Sequence, residues 1–247
     1  MDENPSASVT ESDKNWNSVR LVARTLGTLS RYSLQLADDA IISIGDDLAS
    51  EIAYAFADKE DKCLFLGDGT STYGGIVGLK NGTAAGSKYT AISGNTAFST
   101  LDRDDFEAMV GQLPQYAEAN AKWYISKAGW AASMLRLIDA AGGNTWRDLA
   151  NGKRELSFLG YPVVIVQVMN TTLTAQTSTD GLAYFGDLRQ AAAFGNRRGI
   201  SVFPSEHRYM ELNQIGVRGM ERFDINYHER GDASNAGSII MLSTPSS

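Results

Sequence analysis

The chain has 247 residues, 43% apolar and 21% charged, the balance of a folded globular chain with a sizeable core. Its 22 Lys and Arg against 29 Asp and Glu leave a net charge of −7, which argues against a general nucleic-acid clamp, because phosphate affinity needs clustered cations. One cysteine, Cys63, excludes an intrachain disulfide, and no apolar run is long enough to cross a bilayer as a helix, so no membrane partner is expected.

Residues 1–15, MDENPSASVTESDKN, form a polar tail with neither a basic nor an apolar leader region. In residues 16–30, Val19, Leu21 and Ala23 alternate with Ser18, Arg20, Val22 and Arg24, which predicts a strand carrying two basic side chains on one face. From Asp38 the period changes. Ile41, Ile44, Leu48, Ile52 and Ala55 share one helical face, Asp38 and Asp39 suit a helix start, and Asp58 and Lys62 are spaced as an i,i+4 pair. A helix over residues 39–62 is predicted, about 36 Å long at 1.5 Å per residue, roughly twice the usual length.

The run Gly67–Gly75, GDGTSTYGG, follows that helix. A phosphate-binding loop would need GxxxxGK[ST] after a strand and before a helix. Here there is no lysine, and the loop follows the negative end of the helix, so it reads as a set of turns. A short strand is expected at Ile76, Val77 and Leu79, then an aperiodic polar stretch over NGTAAGSKYTAISGNT. Ser99 and Asp102 have capping-box spacing ahead of an apolar helix face made by Phe106, Met109, Val110 and Leu113. Residues 121–126 read as a buried strand, 131–141 as a helix ended by Gly142-Gly143, and 156–168 as strand-rich with Pro162 at an edge or start. A short strand at 182–185 and four β-like runs, GISVF, NQIGVRGM, FDINYH and SIIMLS, complete the chain. Without regular βα alternation the fold class is α+β.

The chemistry-bearing residues do not converge on a reaction. Asp102, Asp104 and Asp105 lack cation-loop spacing and suit the first turn of a helix. His207 and His228, the only histidines, have no metal-ligand spacing and no GxSxG elbow to work with. Trp123, Trp130 and Trp146 read as core or interface bulk. No catalytic, cofactor or metal site is assigned. Arg218 and Arg222, with Glu221, Asp224, Glu229, Arg230 and Asp232 around them, read either as a solvated sheet face or as charges that meet a neighbouring subunit.

The order of landmarks resembles the major capsid proteins of tailed bacteriophages, with the Hong Kong ninety-seven phage fold. An extended segment SVRLVARTLGTLSRYSLQLADDA enters a long helix that ends in AYAFADKEDKCLFLGDGTSTYGGIVGL, similar to that family's spine helix and Gly-Asp-Gly turn. AKWYISKAGWAASMLRLIDAAGGNTW, LGYPVVIV, AYFGDLRQAAAFGNRRGISV and ERFDINYHERGDASNAGSIIMLS resemble its later landmarks in order.

The resemblance implies a shell-forming structural protein and no enzyme. It implies a peripheral domain over residues 16–66 plus 200–235 and an axial domain over 67–199 plus 236–247. Residues 19–24 would be the returning strand of an extended loop, and Arg20, Arg24, Arg218, Arg222, Glu221 and Asp224 would be candidate subunit-interface residues. The implied partners are copies of the chain in hexamers and pentamers, packaged double-stranded DNA by enclosure, and a scaffold or maturation protease, portal and decoration proteins. The implied location is the virion, after synthesis in the host cytoplasm. Family members usually carry a long N-terminal arm before the segment matching Trp16; the short tail here implies either a trimmed chain or a variant that assembles differently, and a monomer or small oligomer is expected in solution. Two other readings remain open: a shell protein of an encapsulin-type nanocompartment, and a hydrolase using His207 or His228.

Overall fold

The computed structural model describes residues 18–40, 43–141, 156–177 and 179–245. Two sheets organise them. The first is a three-stranded antiparallel sheet, β1(Arg24–Ser33)–β8(Gln214–Tyr227)–β7(Ala192–Tyr209). The second is a mixed six-stranded sheet in the order β2(Lys88–Thr90), β9(Ile239–Ser243), β6(Ala183–Gly186), β3(Lys122–Ile125), β5(Tyr161–Ile165), β4(Ser157–Phe158). Helices and strands are interspersed along the chain, the α+β class expected from the sequence.

The long helix is present but shifted. A short helix α1, Leu34–Asp39, precedes α2, Ile44–Leu66, whose first-turn acids are Asp46 and Asp47 rather than Asp38 and Asp39. Ile41 lies outside the described residues. Ile52 and Phe56 of α2 are buried against Val217 of β8, and Leu26, Tyr32 and Leu48 pack around them. Strand β8 has no side chain at Gly219, where a Cβ would lie 2.7 Å from Ile52 Cγ2 and 3.1 Å from Phe56 Cε2. That glycine lets the spine helix approach the sheet closely.

GDGTSTYGG is a turn assembly. Gly67 caps α2, its N–H donating to the Cys63 carbonyl, and Asn81 Nδ2 donates to the carbonyls of Leu66 and Gly67. Asp68 accepts from the backbone N–H and the hydroxyl of Thr70, at 2.9 and 2.6 Å, which holds its carboxyl below the usual range. Gly69, Gly74 and Gly75 all have positive φ. Ile76 to Leu79 do not form a strand. Val77 makes an isolated bridge to Asp68, and Leu79 opens the single-turn helix α3, Leu79–Gly82. Nor is the following polar stretch structureless, since it holds β2, paired in parallel with β9.

Strand alternation sorts the six-stranded sheet into two cores. Trp123, Ile125, Phe185 and Leu242 face a cluster with Phe98, Phe106, Met109 and Met134. Tyr124, Tyr184, Ile239 and Met241 face Phe65 at the end of α2 and Tyr227 at the end of β8. Phe65 lies 5.9 Å from Tyr184 and 6.3 Å from Tyr124, ring centre to ring centre. Cys63 is buried and its thiol is pushed up by desolvation, so it is unreactive packing.

Helix α4, Arg103–Gln112, is capped by Asp102 with Asp105 at the third helical position, not by Ser99. Asp105 is fully buried and accepts from the N–H groups of Asp102 (3.1 Å) and Ile92 (2.9 Å) and from Asn95 Nδ2 (2.6 Å). The predicted helix at 131–141 starts earlier, as Lys127–Trp130, continues as a π-helical Ala131–Leu135 and ends as Arg136–Ala140. Its expected Gly142-Gly143 stop and Trp146 lie outside the described residues.

Two substitutions test this packing by urea unfolding. Gly219→Val is expected to lower stability by about 1–3 kcal/mol, as an overpacked core does. Asp105→Ala is expected to cost about 2–4 kcal/mol, because it strands three donors under the α4 N-terminus.

Candidate subunit interface

Strand β8 has two chemically distinct faces. Val217, Gly219, Glu221, Phe223, Ile225 and Tyr227 are buried on the side of α2. Arg218, Met220, Arg222, Asp224 and Asn226 alternate with them on the open side. Cross-strand partners extend that open face: Leu29 stands opposite Arg218 on one side and Phe203 on the other.

The predicted strand at residues 16–30 is a shorter and later one. β1 begins at Arg24 and runs to Ser33, and 18–23 are irregular. They cross the open face instead of extending away as a strand. The Val22 N–H donates to Asp224 Oδ2 at 2.6 Å, Asn226 Nδ2 donates to the Arg20 carbonyl at 3.0 Å, and Arg222 Nη2 donates to the Ala23 carbonyl at 3.4 Å. Leu21 lies over Gly195, where a Cβ would come within 2.6 Å of Leu21 Cδ1. Competition from these side chains explains why 18–23 leaves the β1 ladder.

The six candidate residues therefore separate. Arg20 and Arg24 are exposed, and the Arg24 side chain runs along Gly74 and Gly75 beside a cavity of about 250 Å³. Arg218 is exposed with its guanidinium 5.7 Å from the Phe203 ring centre. Arg222 and Asp224 are half-buried under the crossing segment.

Glu221 is 2% exposed and cannot be a solvated charge on this face. Its Oε1 accepts from Asn196 Nδ2 at 2.9 Å, whereas Oε2 is buried without a hydrogen-bond partner. Glu60 of α2 is its neighbour, and desolvation, then the Glu221 carboxylate and then Asp61, push Glu60 up to about 7. A protonated Glu60 can donate to the Glu221 carboxylate. The pairing could have been found in the sequence: Ile52, Phe56, Glu60 and Cys63 share a helix face, and Glu221 shares parity with Val217, Phe223 and Ile225.

His207 and His228 stand at opposite ends of the β7–β8 ladder, beside the Tyr209–Gln214 and the Ala192–Tyr227 pairs. They cannot serve one site. Among the described residues no group of three His, Cys, Asp or Glu side chains is placed to hold a metal ion, and no helix is long and apolar enough to cross a membrane.

A family model described as the phage capsid family matches residues 2–228. The chain belongs to the phage capsid family. It is a structural capsid subunit, and its mixed helix-and-sheet architecture is that of capsids solved at low sequence identity. The capsid of a native GTA particle superimposes with a TM-score of 0.75 at 20% identity, covering 98% of this chain and 79% of that one. A Mycobacterium phage Bobi structure matches with a TM-score of 0.62 at 20% identity, covering 92% and 73%. An encapsulin complex from Synechococcus elongatus shares the fold with a TM-score of 0.58 at 10% identity, over 90% and 74%. No curated protein sequence matches the chain.

The Glu60–Glu221 contact gives a signed prediction. Below about pH 4.5 the Glu60 carboxyl is protonated both folded and unfolded, and between there and about pH 7 only the folded chain keeps the proton. Folding stability from this group is thus complete at low pH and is lost as pH rises through about 7. Glu60→Gln is expected to shrink the fall in urea midpoint between pH 5 and pH 8; an unchanged fall contradicts the contact.

Proposed function

We propose that the chain is the repeating tile of an icosahedral phage head, self-associating in hexamers and pentamers that enclose double-stranded DNA. Membership of the phage capsid family carries this reading. The two-sheet architecture supports a division of labour: the spine helix with the three-stranded sheet, 24–66 and 192–227, as the peripheral unit, and the six-stranded sheet with its helices as the axial unit. We draw the peripheral unit from 192, where the sequence resemblance implies 200, so that β7 is kept whole. Arg20, Arg24, Arg218 and the exposed sheet face are the surfaces assigned to neighbouring copies. DNA is held by enclosure, in keeping with the net charge of −7. The chain acts as a virion component made in the host cytoplasm, with no catalytic role.

Many weak repeated contacts suffice for a durable shell, because each added subunit engages several neighbours at once. The encapsulin likeness makes a cargo-enclosing shell the second reading. Electron microscopy and light scattering on the chain expressed alone separate the two. Pentamers, hexamers or other small oligomers without a co-purifying enzyme are expected; a closed shell that retains one host enzyme stoichiometrically favours the second.

A further inference from the structure

The open face of β1–β8–β7, assigned above to neighbouring copies, carries an arrangement that points to what it meets. Arg198 and Arg218 both lie over the Phe203 ring, at 5.8 and 5.7 Å from its centre. Arg31 and Arg208 both lie over the Tyr209 ring, at 5.6 and 5.5 Å. All four arginines are exposed, and none is ion-paired among the described residues. Phe203, at 41% exposure, and Leu29, at 45%, floor a cavity of about 300 Å³ between Arg208 and Arg218. Ring-seated guanidiniums beside exposed apolar side chains are the chemistry of a protein-binding surface that takes carboxylates.

The opposite side of the same two-layer unit has the opposite charge. Asp46, Asp47 and Glu51 of α2 are exposed, with no basic partner among the described residues. They sit at the same level of the unit, because Ile52, the residue after Glu51, packs on Gly219, the residue after Arg218. A basic face and an acidic face back to back cannot meet within one molecule. They are complementary between two.

We propose that a second copy of the chain is the occupant of the arginine face, with its Asp46–Asp47–Glu51 surface laid on Arg198, Arg208 and Arg218. This rests on the tile reading and deepens it by naming the two surfaces that meet. Such a contact is head-to-tail, so it propagates and closes into a ring where the rotation permits. It also gives a net-acidic chain a local attraction that overcomes the repulsion between copies.

Sedimentation velocity with two charge-reversed variants tests it. One is R198E/R208E/R218E and the other D46K/D47K/E51K; circular dichroism checks that each is folded. A neutral set, R198Q/R208Q/R218Q, replaces the first if it is not. The wild type is expected to associate more weakly as salt rises from about 0.1 to about 1 M, where the screening length falls from about 10 to about 3 Å. Each variant alone is expected to associate at least about tenfold more weakly, and an equimolar mixture to recover most of that loss, because opposite charges face each other again. With the neutral set, association weaker than wild type and less sensitive to salt is expected; wild-type association overturns the proposal.

A mixture no stronger than either variant, beside an associating wild type, overturns this pairing and leaves the tile reading standing. A wild type monomeric at every salt and concentration takes the tile reading with it. Double-stranded DNA retained by the wild type and lost in the arginine variant, with self-association unchanged, reassigns the face to nucleic acid and overturns the proposal.

Discussion

The structure depends on the sidedness of β8. Every second residue from Val217 to Tyr227 is buried beneath or beside α2, and the one-residue approach at Gly219 brings helix and sheet into contact through Ile52 and Phe56. A slip of one residue would put Arg218, Arg222 and Asp224 under the helix and Phe223 and Ile225 in water. The cost of burying unpaired charge fixes the register, and the register in turn decides which charges are left for a neighbour.

The spine helix then joins the two halves of the molecule. Its N-terminal half packs on the three-stranded sheet and its last turn delivers Phe65 to Tyr124 and Tyr184 of the six-stranded sheet. The Gly-Asp-Gly turn fixes where the helix stops, with the Asn81 amide closing its last carbonyls. A rigid element anchored at both ends suits a subunit that must transmit contacts across a shell. The contact of half-buried Glu60 with buried Glu221 is the exception to the apolar helix–sheet layer, and the Glu60 proton links that layer's stability to pH.

Much of this was legible in the residues. The spine helix followed from the spacing of Ile44, Leu48 and Ile52, and the turn nature of GDGTSTYGG from the lack of a lysine and from its place after a helix. The helix start was misplaced because Asp38 and Asp39 also suit a cap, whereas the chain makes a separate short helix there. β7 was underestimated because AAAFGNRR has neither alternation nor β-branched side chains; its strand exists through pairing with β8, a tertiary effect. The candidate interface residues were the least legible. Glu221 reads as a surface acid until its parity with Val217 and Phe223 is counted, and nothing in the sequence singles out Arg198 and Arg208, because their partners are rings brought beneath them only by the fold.

The central claim is that the exposed faces of the helix-and-sheet unit serve copies of the same chain. Hydrogen exchange compared between assembled and dispersed protein addresses it directly. Slowed exchange on assembly is predicted along the edges of β1 and β7 and in the first turns of α2, with the six-stranded core unchanged. Protection confined to the six-stranded sheet, or none on assembly, would contradict the account.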